Sequence, residues 1–121
     1  MTLVDTSVWI DHLRRGNSRL TTLLGEASVL THPFVVGELA CGTFKDRDGT
    51  LKLLTALPEA RVADHDEVLS LIERQRIWGQ GLGWVDVHLL AAAKLSGIPL
   101  WTLDLPLAAA AVRLGLGFPA G

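Results

Sequence analysis

The fold of this chain is decided by one stretch at its beginning, Thr2-Leu3-Val4-Asp5-Thr6-Ser7-Val8-Trp9-Ile10. A short apolar run closes at Asp5, and the two hydroxyl residues that follow can cap a helix that runs as far as Gly16. The stretch predicts a buried strand over 2–5 followed directly by a helix. Open parallel sheets bind ligands at the carboxyl ends of their strands, so Asp5 lies where a functional group is expected.

The rest of the chain repeats this alternation of strand-like and helix-like runs. Further strands are predicted over 28–31, 61–63 and 99–103, with an edge strand over 116–118. Apolar spacing and end signals predict helices over 18–26, 33–43, 46–57, 68–78, 84–96 and 105–114. Such alternation favours an α/β fold, a parallel sheet with helices on both faces. No composition break or internal repeat divides the chain, so residues 1–121 are expected to form a single domain.

Composition excludes several classes of protein. With 49% hydrophobic and 20% charged residues, a disordered chain is excluded. The net charge of −2 excludes a generally basic nucleic-acid binder, so any RNA contact must use a local patch. The apolar stretch 105–116 contains Pro106 and Arg113 and is too short to span a bilayer.

The single cysteine and the first residues of the chain predict the compartment. Cys41 can form no disulfide within the chain and lies in an apolar, helix-like stretch, so we expect a buried, inert thiol in a reducing environment. The N-terminus runs directly into a strand and has no basic-then-apolar signal segment. A cytoplasmic protein is expected.

Three further acids occur in apolar surroundings, where burying a carboxylate costs free energy. Glu38 and Asp86 interrupt apolar helical runs, and Asp104 closes the strand predicted over 99–103. Helical spacing places Glu38 and Asp86 on apolar faces, so both are expected to point toward the core. Because an unpaired buried carboxylate is strongly disfavoured, convergence of these acids with Asp5 on a divalent metal ion would explain all four.

Each acid also has a simpler explanation, and these alternatives remain open at this point. Asp5 and Asp104 can cap the helices that follow them. Asp86 can be a first-turn acid stabilised by the helix dipole, and Glu38 can be a buried acid paired with an arginine.

The residue types around the acids narrow the chemistry. His12, His32, His65 and His88 show no metal-ligand spacing, and surface or capping roles are expected for them. An all-carboxylate site selects Mg²⁺ or Mn²⁺, which bind substrate phosphates and keep several waters. No Ser-His-Asp or Cys-His grouping stands out, so metal-assisted phosphodiester hydrolysis is favoured over nucleophilic catalysis by a side chain. Clustered acids repel one another, and at least one is expected to have a raised pKa.

Four segments of the chain resemble the signatures of a known family, in the expected order. They are Leu3-Val4-Asp5-Thr6-Ser7-Val8-Trp9-Ile10, Val36-Gly37-Glu38-Leu39, Trp84-Val85-Asp86-Val87-His88-Leu89-Leu90-Ala91-Ala92 and Thr102-Leu103-Asp104. The chain is similar, over essentially its whole length, to PIN-domain nucleases and in particular to VapC toxins of bacterial toxin–antitoxin pairs.

The resemblance implies a three-layer α/β/α sandwich with a central parallel sheet of four to five strands. It implies a Mg²⁺-dependent endoribonuclease, with Mn²⁺ as a substitute, that forms a homodimer, acts on an RNA substrate and is inhibited by a VapB-like antitoxin. Carried over by motif, Asp5, Glu38, Asp86 and Asp104 are the catalytic, metal-binding residues. Ser7 and Thr102 become hydroxyls that orient carboxylates or metal waters. Many relatives carry another acid just after the last aspartate, where this chain has Leu105, so the resemblance leaves open whether one or two metal ions bind.

Contacts with RNA are less determined by the sequence. Three groups of cations can grip phosphates, and solvated helix faces explain them equally well. The groups are Arg14, Arg15 and Arg19; Lys45, Arg47 and Lys52; and Arg74 and Arg76. Tryptophans can stack on flipped-out bases, although core or dimer packing is favoured for them. These are Trp9, Trp78, Trp84 and Trp101.

Rival classes differ at identifiable positions. A phosphoryl-accepting receiver domain would need a lysine near the end of the last strand, and no lysine follows Lys94. A haloacid-dehalogenase-type phosphatase would need an aspartate two residues after Asp5, where Ser7 stands. A non-catalytic RNA- or antitoxin-binding PIN-like module remains as the alternative, and metal-dependent cleavage would separate it from a nuclease.

Overall fold

A computed structural model describes residues 1–119 of the chain. The strands are β1 (Thr2–Val4), β2 (Val29–Leu30) and β3 (Leu100–Trp101). The helices are α1 (Thr6–Arg15), α2 (Ser18–Gly25), α3 (Pro33–Ala40), α4 (Arg47–Ala56), α5 (His65–Gln75), α6 (Trp84–Ser96) and α7 (Leu105–Arg113). The predicted α/β fold is confirmed, since strands and helices alternate along the chain.

The sheet is parallel, with β1 in the centre and β2 and β3 on either side. Leu3 pairs with Leu30 on one side and with Leu100 on the other. The central position buries Leu3 and Val4 completely, as an apolar strand covered on both faces requires. Parallel strands end at the same edge, so the residues that follow β1 and β3 are brought together.

The outer strands of the predicted sheet are reduced to single bridges. The prediction of a strand over 61–63 was wrong. Thr31 instead forms a parallel bridge with Glu59. The backbone N–H of Arg61 donates to the hydroxyl of Ser96 and not to a neighbouring strand. At the other edge, the segment predicted as a strand over 116–118 forms one bridge, between Gly117 and Leu100. The sheet of residues 1–119 therefore has three strands extended by a bridge on each side, rather than four to five full strands.

Helix ends follow local capping, with small shifts from the prediction. Asp5, not Thr6 or Ser7, is the N-cap of α1. Asp64 begins α5 with a capping box. That helix ends at Gln75 rather than near Trp78, because the next residue adopts the left-handed conformation that closes many helices. At the end of α6, Gly97 takes the same conformation, with φ of 66°, as predicted for a glycine there.

The core is built around α6, which is buried continuously from Val87 to Ala93. This burial includes His88, for which a surface or capping role was predicted, and that prediction was wrong. His32 is fully buried as well, although it does cap α3 by accepting from the backbone N–H of Phe34. Conversely, Cys41 is exposed, contrary to the prediction of a buried thiol, because α3 ends one residue before it. Within residues 1–119, no helix is both long enough and apolar enough to cross a membrane.

Candidate active site at the carboxyl edge of the sheet

Asp5 occupies the point where the central strand ends. It is 6% exposed, and one carboxylate oxygen, Oδ2, accepts hydrogen bonds from the hydroxyls of Ser7 at 2.7 Å and Thr102 at 2.8 Å. The same oxygen caps α1 by accepting from the backbone N–H of Ser7 at 3.3 Å. The predicted capping role of Asp5 is therefore confirmed, and it coexists with a position at the sheet edge.

The two hydroxyls form a small network that joins β1 to the turn after β3. Their oxygens lie 3.2 Å apart, and the backbone N–H of Leu103 donates to the Ser7 hydroxyl at 2.9 Å. The backbone N–H of Asp104 donates to the Thr102 hydroxyl at 3.0 Å. Because each hydroxyl both donates and accepts, the network fixes the orientation of the buried carboxylate of Asp5.

Asp104 lies three residues after the end of β3 and is exposed. Its carboxylate caps α7 by accepting from the backbone N–H of Leu107 at 3.1 Å, as the alternative explanation predicted. Asp104 and Asp5 thus begin the two helices that leave neighbouring strands of the sheet.

Asp86 lies in the first turn of α6 and is partly buried. Burial raises the pKa of its carboxyl above the ordinary value, a hydrogen bond from the backbone N–H of Gly83 at 2.9 Å opposes this, and the charges of Asp5 and Asp104 raise the pKa further. One of the clustered acids therefore has a raised pKa, as predicted, but burial contributes more to it than repulsion does. Asp86 is the acid that both Asp5 and Asp104 repel.

Glu38 takes a different orientation from the predicted one. Its side chain is exposed, because α3 turns Val35 and Leu39 into the core instead. The hydroxyl of Thr6 donates to its carboxylate at 2.7 Å, which attaches Glu38 to the residue that follows Asp5. No ion pair with an arginine is found for Glu38 in the part of the chain that the structure describes.

Two residues of this edge escaped the sequence prediction. Thr6 was interpreted only as a helix cap, and Gly83, just before the helix predicted over 84–96, was given no role. Both positions adjoin predicted site motifs, and that adjacency was the available signal. Their actual roles depend on which acid the fold brings to them, Glu38 and Asp86 respectively.

The carboxylates of this edge offer the oxygen ligands that a hard cation prefers, but they are not gathered tightly around one point. Within residues 1–119, no three acid, imidazole or thiolate side chains lie close enough to hold one ion between them. Each of the four carboxylates instead accepts a hydrogen bond from this chain. Mg²⁺ commonly uses only one or two protein carboxylates and completes its shell with water and substrate phosphate, so such a donor set fits it.

Several candidate RNA-binding cations are engaged within the protein. Arg15 pairs with Asp11, Arg19 lies 4.5 Å above the ring of Phe118, and Arg47 donates to the carbonyl of Ala40 at 2.6 Å. Arg14 is exposed instead and lines, together with Glu38, a cavity of about 210 Å³ between α1 and α3. Arg14 is therefore a candidate cation that shares a cavity with a site acid.

The fold and the acidic edge together define an α/β protein whose polar site is built from the ends of parallel strands. The family model described as PIN domain matches residues 2–112. Over 117 residues the chain is 50% identical to proteins named Ribonuclease VapC32 from two strains of Mycobacterium tuberculosis, which covers 96% of this chain and 94% of each relative. The chain belongs to the PIN-domain family, in its VapC group.

Proposed function

We propose that this protein is a metal-dependent endoribonuclease, the toxin of a toxin–antitoxin pair, that acts on an RNA substrate and is neutralised by a VapB-like antitoxin. The observation that carries the proposal is the buried carboxylate of Asp5, held by two hydroxyls at the end of the central strand within the electrostatic reach of Asp86 and Asp104. The 50% identity with a relative named a ribonuclease supports the same reaction.

The residues that would hold the metal, directly or through its coordinated waters, are Asp5, Glu38, Asp86 and Asp104, with Mg²⁺ as the expected cofactor and Mn²⁺ as its substitute. Their oxygen donors match the preference of these hard cations. When bound, such an ion supplies an activated water and stabilises the charge that develops on the phosphate. Burial is the main cause of the raised pKa of Asp86, and the charges of Asp5 and Asp104 add a repulsion that a cation at this edge would relieve.

The other side chains of the edge position the acids and the substrate. Ser7 and Thr102 fix the rotamer of Asp5, and Thr6 restrains Glu38 at the rim. Arg14, beside Glu38, is suited to a phosphate of the RNA backbone, which would set the register of the strand without reading its sequence.

The function is tested by incubating purified, antitoxin-free protein with total bacterial RNA in Mg²⁺, in Mn²⁺ and in EDTA. Discrete fragments that require metal are expected. A folded protein that binds Mn²⁺ by calorimetry but cleaves no RNA would contradict the endoribonuclease. Absence of both cleavage and metal binding would favour the non-catalytic RNA- or antitoxin-binding module.

Removing the hydroxyls around Asp5 is expected to weaken the site without unfolding it. Ser7→Ala and Thr102→Val should each lower cleavage or Mn²⁺ affinity about 10- to 100-fold, the usual effect of losing a group that orients a metal ligand. Thr102→Ser, which keeps the hydroxyl, should restore most of the loss. Thr55→Val serves as a control, because the hydroxyl of Thr55 bonds only to carbonyls of its own helix. Unchanged Mn²⁺ affinity in Thr102→Val would contradict the positioning role.

A homodimer is also proposed, with the exposed stripe of α7 as its contact surface. Leu105 and Val112 are 81% and 69% exposed, the largest values for large hydrophobic side chains in residues 1–119, and they share one face of the helix. A twofold contact would bury the same stripe from both copies. The double variant Leu105→Ser/Val112→Ser is expected to be monomeric by light scattering at micromolar concentration, whereas Leu53→Ser should leave a dimer. A monomeric wild type would refute the proposal.

The proposed compartment is the cytoplasm, where an RNA substrate is available.

A further inference from the structure

A continuous group of aromatic and imidazole rings lies between the beginnings of α3, α5 and α6. Its members, called here the ring cluster, are His32, Phe34, His88, Trp84 and His65. Ring centroids are 5.2 Å apart for His32 and Phe34, 4.7 Å for Phe34 and His88, 4.8 Å for His88 and Trp84, and 5.1 Å for Trp84 and His65. Such spacings are those of favourable aromatic contacts.

The ring cluster has a buried floor and an open rim. His32 and His88 are 0% and 6% exposed, whereas Phe34 and Trp84 are 37% and 39% exposed. The buried imidazoles support the two rim rings from below, and the ring of His32 is itself fixed by the backbone N–H of Phe34 at 3.0 Å. Phe34 and Trp84 are therefore presented to solvent in defined orientations, which limits the entropy that a ligand would have to remove.

Each rim residue lies on a helix that also carries an acid of the candidate active site. Trp84 is the first residue of α6 and shares its first turn with Asp86. Residues two apart on a helix point to different sides, so the ring and the carboxylate flank the start of α6, which is about 10 Å across with its side chains. On α3, Phe34 precedes Glu38 by one turn. An RNA strand whose phosphate lies at the acids would have to pass over the start of α6 for one of its bases to reach the rim.

A base is the ligand that suits these rings. Sequence-tolerant binding of single strands relies on bases that stack on aromatic side chains, because every base has a π-face. The chain carries a net charge of −2 and its site is acidic, so charge attraction to RNA is limited. Stacking supplies affinity that does not depend on charge.

We propose that Trp84 and Phe34 form a stacking site for a base of a single-stranded RNA substrate, across the start of α6 from the phosphate that a metal ion at Asp5 and Asp86 would bind. The proposal rests on the ribonuclease function proposed above and deepens it by naming positioning residues for the substrate. The sequence allowed two roles for Trp84, base stacking or packing in the core or a dimer. The proposal assigns Trp84 to base stacking.

The test measures binding of a labelled, unstructured 12-nucleotide RNA by fluorescence anisotropy, with Asp5→Asn in every protein to prevent cleavage. Trp84→Leu and Phe34→Leu should each weaken binding about 5- to 30-fold, as expected for the loss of one stacked base. Trp84→Phe, which keeps a ring, should stay within about threefold. Trp78→Leu should have no effect, because Trp78 is 58% exposed and lies outside the ring cluster.

Two readouts separate stacking from a merely structural role. The dependence of affinity on salt should have the same slope in Trp84→Leu and in its parent, because no phosphate contact is lost. In a series of RNAs that each lack one base, removal at one position should weaken binding to the parent protein but should not weaken binding to Trp84→Leu further. Coupling of this kind requires that the ring and that base interact.

The outcomes distinguish this proposal from the proposed function. Equal affinities for Trp84→Leu and Trp78→Leu, with wild-type protein that cleaves RNA, would overturn the stacking site and leave the nuclease intact. Loss of a dimer on Trp84→Leu, seen by light scattering, would assign the rim to a second copy and also overturn it. If Trp84→Leu fails to fold, Trp84→Phe and the base-removal series decide, since the absence of any sensitive base position would contradict stacking.

Discussion

Asp5→Asn is expected to lower metal-dependent RNA cleavage by at least about 10³-fold, or about 4 kcal/mol of transition-state stabilisation. The substitution removes one charge from the only predicted site acid that is both buried and held by two hydroxyls. An amide offers one oxygen where the carboxylate offers two, so it cannot accept from both hydroxyls and bind a cation equally well. The rate of fragment formation from total RNA in Mg²⁺ and in Mn²⁺ measures the effect.

The control for charge alone is Asp48→Asn, which removes the same charge from a side chain that is 92% exposed. Its cleavage rate should match that of the wild type. Turnover by Asp5→Asn within about threefold of the wild-type rate would contradict the assignment of Asp5 to the catalytic site.

The Asp5→Asn variant should keep its fold. Asparagine is as good an N-cap as aspartate, so the beginning of α1 remains capped. Removing the charge of Asp5 also removes one of the repulsions that raise the pKa of Asp86. In EDTA, thermal melting of Asp5→Asn should therefore occur at or above the wild-type temperature, and a fall of many degrees would mean that Asp5 serves mainly to hold the structure.

Acidification is expected to destabilise the protein through His32. Burial lowers the pKa of this imidazole from 6.5 to about 4, and the nearby His88 lowers it in the same direction. The unfolded chain takes up a proton near pH 6.5 while the folded chain does not until about pH 4, so stability is complete above that window and is lost as pH falls through it. The loss amounts to about 3 kcal/mol at the acidic end.

The contribution of His32 is measured by urea unfolding between pH 4 and pH 7. His32→Asn keeps a side-chain acceptor for the backbone N–H of Phe34 but has no titrating group, so its stability should fall less steeply with acid. His65→Asn, at an exposed position, should follow the wild type. The pKa of His88 is lowered as well, chiefly by burial, which leaves some pH dependence in His32→Asn. Equal slopes for His32→Asn and wild type would refute the role of His32.

The elements of this fold could be predicted from short stretches of the chain. The apolar run that closes at Asp5 gives β1 and the start of α1, and the glycines on either side of 84–96 bound α6. Both features depend on contacts within a few residues, namely capping hydrogen bonds and apolar periodicity. The family resemblance had the same local basis, because each of its four segments contains one of the site acids.

Where the side chains point was less predictable. The helical face of Glu38 is apolar by residue type, yet Val35 and Leu39 face the core and Glu38 faces Thr6. Cys41 was expected inside and lies outside, because the end of α3 decides its exposure. A helical period places residues on faces, but which face is buried depends on the neighbours that the fold supplies.

The sequence by itself determined the order of strands and helices, the four acids and the family, because these are written in local patterns and motifs. The family resemblance named Thr102 as a hydroxyl that orients a carboxylate or a metal water, and the tertiary structure decided that it holds the carboxylate of Asp5, 97 residues away, since that contact requires β1 and β3 to pair in register. The same holds for the burial of His32 and His88 beneath Phe34 and Trp84. Contacts between distant parts of a chain depend on packing that no short stretch encodes.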